Sequence, residues 1–111
     1  MRYMLLFLGL GATPEATDAQ TVDYNRRWTA WMGDLAARGA LIAAGPFQPT
    51  GTVVSRDGVE DLELAPMDIN AFAVIEADSD AAAHEIAGST PHIELGGKTI
   101  VRPLIPLPPP A

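Results

Sequence analysis

Apolar residues occupy both parities of the first segment: Tyr3, Leu5 and Phe7 on one, Met4, Leu6 and Leu8 on the other. A strand with one wet face alternates, whereas a strand covered on both faces need not. Arg2–Leu10 is therefore expected to be a strand buried on two sides, broken by Gly9, Gly11 and Pro14. It reads as a strand and not as a leader, because its end in Gly-Leu-Gly offers no Ala-x-Ala site. Further along, Trp28, Met32 and Leu35 recur at steps of four and three, with Trp31 beside them, which predicts a helix over Thr21–Arg38. Thr21 or Asp18 can cap it, and Gly39 supplies a left-handed stop.

Ala40–Ala44 is a short apolar strand ended by Gly45-Pro46. Thr52–Ser55 and Val59–Leu64 flank Arg56-Asp57-Gly58, a hairpin signal. Ile69–Glu76 is a further strand with apolar groups on both faces. Asp78-Ser79-Asp80 opens a short helix, Ala81–Ala87, expected to stop at Gly88. Lys98–Leu104 is the last strand, and Pro103 places it at an edge or ends it. Pro106–Pro110 forms an extended Pro-rich tail, so the division is a domain over residues 1–105 and a tail over 106–111.

The order β-α-β, hairpin, β-α-β fits an α+β, ferredoxin-like split βαβ fold with an inserted β-hairpin. Its two helices cover one sheet face only. The second apolar face then calls for a partner, and a homodimer packed sheet face to sheet face is expected, forming a dimeric α/β barrel. The other solution is a monomer whose hairpin folds over that face.

The segments Met1–Leu6, Gly39–Gly45, Arg56-Asp57-Gly58, Asn70–Glu76 and Ile100–Leu104 occur in this order. Together the chain resembles the YCII-related family, particularly its DGPF-type branch, over nearly its whole length up to Leu104. The resemblance implies a dimeric α/β barrel of ferredoxin-like subunits, and most members lack an assigned reaction. Where the branch carries Asp-Gly-Pro-Phe, this chain has Leu64-Ala65-Pro66-Met67-Asp68. Some YCII-like proteins carry a His in the first helix and an Asp before a later Pro, proposed as an acid/base pair. Those positions here hold Trp28 and Thr90, so that chemistry does not carry over.

Composition narrows the partners. Seven Lys+Arg against fourteen Asp+Glu give a net charge of −7, which disfavours nucleic acid and anionic membrane surfaces. No apolar run is long enough to span a bilayer. The absence of cysteine excludes thiolate chemistry and fits a reducing, cytoplasmic setting. At 111 residues one domain is expected. No metal signature and no dinucleotide or phosphate loop occurs, so neither metal nor cofactor is expected.

Few residues carry chemistry. His92 can act as a proton carrier and, in an extended stretch, would share a face with Glu94; the alternative is a solvent-facing loop residue. His84 reads as surface. Asp68, before the Ile69–Glu76 strand, is the best-placed carboxylate, against a plain turn former. Tyr24, Trp28 and Phe47 can line an apolar pocket, with Arg27 or Arg26 meeting a substrate carboxylate; otherwise Trp28 is core and the arginines are solvated.

These residues leave open whether the chain is an enzyme. A homodimeric small-molecule-binding domain for a small organic acid is the leading reading. The alternatives are a cofactor-independent lyase or isomerase with His92 and Asp68 as proton carriers, and an interaction scaffold using the Pro-rich tail.

Overall fold

The computed structural model describes residues 1–9, 17–64 and 68–109. At its centre lies β1 (Arg2–Leu8), antiparallel to β5 (Ile69–Glu76) on one side and to β6 (Lys98–Pro103) on the other. The outer strand β2 (Leu41–Pro46) pairs with β5, giving the order β2-β5-β1-β6. Helices α1 (Asp18–Ala37) and α2 (Asp80–Gly88) complete a ferredoxin-like α+β fold. The inserted hairpin, β3 (Thr52–Ser55) and β4 (Gly58–Asp61), forms a separate two-stranded sheet. All eight of its residues are exposed, so it does not fold over the second face of the main sheet.

Strand parity sorts the core. Tyr3, Leu5 and Phe7 of β1 and Ala71, Ala73 and Ile75 of β5 are buried beneath the helices. Leu35 of α1 and Ala83 and Ala87 of α2 close over them. Each fully buried leucine contributes about 1.5–3 kcal/mol relative to exposure. Alanines on β5 let the helices approach the sheet closely. The opposite parity, Met4, Leu6, Leu8, Phe72 and Val74, is only half-buried. Register sets Leu6 directly between Phe72 and Ile100, which makes this second face a continuous apolar strip.

Local chemistry explains the boundaries. α1 begins earlier than its apolar spacing suggests, because Thr17 and Gln20 form a reciprocal capping box. Its end is as expected, with Gly39 at φ 70°. α2 starts at the Ser79 cap as anticipated but runs through Gly88. Ser89 ends it instead, its hydroxyl donating to the Ile86 carbonyl at 2.7 Å. The stretch expected to be extended around His92 is a 3-10 helix, Pro91–Leu95. Pro91 favours this turn, since its ring fixes φ and its missing N–H is not needed at a helix start. β1 ends at Leu8; Leu10, Gly11 and Pro14 lie outside the described residues, as do residues 65–67 of the degenerate Asp-Gly-Pro-Phe position.

Gly97 joins the 3-10 helix to β6 at a point with no room for a side chain. A Cβ there would sit 2.8 Å from the Leu8 carbonyl oxygen and 2.9 Å from that of His92. Both are backbone atoms and cannot swing away. Gly97→Ala is expected to destabilise the fold by about 1–3 kcal/mol, the usual range for overpacking. Urea denaturation of the variant checks this; unchanged stability would show that the junction is slack.

Candidate functional site

Between α1, the β2–β5 edge and the segments flanking the hairpin lies a cavity of about 730 Å³. Helix periodicity builds its first wall: Tyr24, Trp28, Trp31 and Met32 recur on one face of α1. Phe7 and Ala71 form the floor, and Gly45, Phe47 and Phe72 bound it along β2 and β5. Residues 46–50 with Leu62 and Leu64 close the remaining side. A register shift in the β1–β5 ladder leaves Asn70 without a direct β1 partner, between Ala71 opposite Phe7 and Ile69 opposite Leu8. Such irregularities commonly re-aim strand residues beside sites. Asn70 lines the cavity, and its carbonyl accepts from the Phe47 N–H at 2.7 Å, which holds the β2 exit in place.

The aromatic rings are mutually packed. Phe7 lies 5.2 Å from Trp28 and 5.9 Å from Trp31, centroid to centroid. Trp28 meets Tyr24 edge-on at 6.3 Å and Trp31 edge-on at 5.7 Å. Phe47 stacks on Phe72 at 5.8 Å. Trp31 is pinned from outside, its Nε1–H donating to the Ser89 hydroxyl at 3.0 Å. The Tyr24 hydroxyl is shielded from solvent yet has no hydrogen-bond partner among the described residues. The polar side chains on the described wall are otherwise Asn25, Gln48, Thr50 and Asn70, none of them charged.

His92 is not a solvent-facing loop residue: it is fully buried. The 3-10 turn carries it inward, behind the cavity floor, where it stacks on Trp28 at 5.4 Å and meets the edge of Phe7 at 5.3 Å. Its Nε2 is 2.9 Å from the Lys98 carbonyl, which can only accept, so Nε2 carries the proton. Thr90 donates to the Ala87 carbonyl at 3.0 Å, and its oxygen lies 3.4 Å from the Thr99 hydroxyl, itself 3.2 Å from His92 Nε2. His92 Nδ1 has no partner among the described residues. Trp28 and Thr90, the positions matched to the family's acid/base pair, thus both adjoin this buried imidazole, Trp28 directly and Thr90 through Thr99.

The remaining candidates separate. Tyr24, Trp28 and Phe47 share the cavity wall. Arg27 does not: it pairs with Glu94 at 2.7 Å, tying α1 to the 3-10 helix. That pairing also removes Glu94 from the anticipated partnership with His92. Neither His92 nor Asp68 is among the described lining residues, and His84 is exposed as expected. Asn25, Gln48, Thr50, Leu62 and Leu64 escaped sequence reading. Only Asn25 carried a signal, lying next to Tyr24 on the helix; the others sit in irregular segments without periodicity. Among the described residues no cluster of three or more His, Asp or Glu could hold a metal, and no helix is long and apolar enough to cross a membrane.

No family model matches the chain, and no curated protein matches it. A search of solved structures finds the fold in TftG, the 5-chloro-2-hydroxyhydroquinone dehydrochlorinase from Burkholderia phenoliruptrix AC1100, solved in complex with 2,5-dihydroxybenzoquinone. The TM-score is 0.60 at 20% identity, covering 95% of this chain and 94% of that one. The likeness establishes a shared fold.

Burial holds the His92 pKa below its ordinary value of 6.5, with the Lys98 carbonyl opposing in part. The native state therefore favours neutral imidazole, while the unfolded chain takes up a proton as pH drops. The stability that neutral His92 provides is fully present above pH 6.5 and is lost as pH falls through the lowered native value. Urea midpoints for wild type and His92→Gln, compared between neutral and mildly acidic pH, should show the larger loss in wild type. Equal losses would remove His92 as the source.

Proposed function

We propose that the chain is a small-molecule-binding domain of the YCII-related type, acting as a homodimer. The observation that carries the binding role is the cavity walled by Tyr24, Trp28, Trp31 and Phe47, with Asn25 and Asn70 among its neutral polar groups. Apolar pockets with a few convergent polar groups are the usual form of ligand sites. That TftG holds 2,5-dihydroxybenzoquinone, a small ring compound, on the same fold supports a ligand of modest size. The lyase or isomerase reading has less support, because its two proton carriers are not among the described residues facing the cavity. The family reading rests on the ordered motifs and on the fold they foretold, and a cytoplasmic setting on the lack of cysteine.

The dimer rests on the second sheet face. Met4, Leu6, Phe72 and Val74 stay half-buried and Ile100 exposed, while the hairpin that could have covered them stands away. A contiguous row of apolar side chains left open on a sheet face is a common mark of an interface.

Two measurements test these readings. A library of small ring compounds and organic acids should contain ligands that raise the melting temperature by on the order of 5 °C at ten times their Kd. Trp28→Ala should abolish the shift, and a library with no shift at all would defeat the binding role. In sedimentation, wild type should be dimeric at micromolar concentration and Leu6→Glu monomeric. A monomeric wild type would defeat the dimer.

A further inference from the structure

We infer that the cavity selects an uncharged aromatic ring bearing a hydrogen-bonding oxygen or amide, and discriminates against carboxylates. This deepens the proposed binding role and depends on it.

Charge sets the first limit on the ligand. An anion leaving water for an apolar site needs a counter-charge or several strong donors, or its desolvation goes uncompensated. The described wall offers no cation. Arg27, the arginine nearest the aromatic face in sequence, is engaged by Glu94 at 2.7 Å and is not on the wall. The whole chain carries −7, so the long-range field also repels anions. A small organic acid, the ligand class first expected, is therefore the poorer fit.

Shape and hydrogen bonding point the same way. Tyr24 and Trp28 meet at 79°, and Trp28 and Trp31 at 77°. Rings set near right angles present a face beside an edge. A flat guest can satisfy both, by offset stacking on one and edge contact with the other. Asn25 and Asn70 add neutral groups that can donate or accept. Together they distinguish a hydroxyl, carbonyl or amide substituent from a bare hydrocarbon.

The chain's two tryptophans, Trp28 and Trp31, both line the cavity, so intrinsic fluorescence reports occupancy directly. The probes are 4-hydroxybenzamide, its acid counterpart 4-hydroxybenzoate, and the saturated cyclohexanecarboxamide, at neutral pH. The hydroxybenzamide is expected to bind about tenfold or more tightly than the benzoate, and more tightly than the saturated amide. Asn70→Leu, which keeps the approximate size and removes the amide, should weaken hydroxybenzamide binding severalfold with little change in melting temperature. Benzoate binding as well as or better than the amide would overturn the inference while leaving the binding role intact. Equal binding of the saturated amide would likewise overturn the aromatic preference alone. Failure of all three probes would overturn the inference, and the binding role itself falls only if the wider library also gives no shift.

Discussion

The cavity and the core beneath it meet at one side chain. Phe7 is buried on β1, lies opposite Ala71 on β5, and packs its ring against Trp28, Trp31 and His92. It is at once the floor of the cavity and a member of the main core. The angle of α1 over the sheet follows from this arrangement, because both tryptophans of the helix rest on the same ring. The helix is held a second time from its far side, where Arg27 reaches Glu94. That exposed ion pair is worth at most about 1 kcal/mol, so the aromatic packing dominates.

His92 shows how a polar group can serve an apolar cluster. Its ring supplies a flat surface for Trp28, and its one N–H is satisfied by the start of β6. The 3-10 helix, the first residues of β6 and the floor of the cavity are joined through this imidazole. Thr90 and Thr99 extend the connection to the end of α2. This region is a structural joint between the two helical segments and the sheet.

Much of the architecture was legible because periodicity records burial. The double-sided apolar pattern of Tyr3–Leu8 identified a central strand, and Trp28, Met32 and Leu35 identified the covering helix. Tyr24 and Trp28 stand out for the same reason, whereas Phe47 is marked only by the Gly-Pro turn before it. The inward turn of His92 was not, since a five-residue 3-10 helix leaves no repeat long enough to detect. The pairing of Arg27 with Glu94 is not legible, because an ion pair between α1 and a distant segment leaves no mark on local spacing. Residues 48–50, Leu62 and Leu64 reach the cavity through chain folding alone, and nothing in their order announces it.

The outer strands carry a further consequence. β2 ends in Pro46 and β6 in Pro103, with Pro49 and Pro106 soon after. Proline offers no N–H to an incoming strand, so each lateral border of the sheet loses its template at the strand's C-terminal end. The ladder does reach Leu104, whose N–H donates to the Arg2 carbonyl at 2.9 Å, but it goes no further into the proline-rich segment. A sheet this apolar on both sides would otherwise be prone to grow into fibrils. Each border stops where its proline stands, which shortens the run of free N–H groups that an added strand could use.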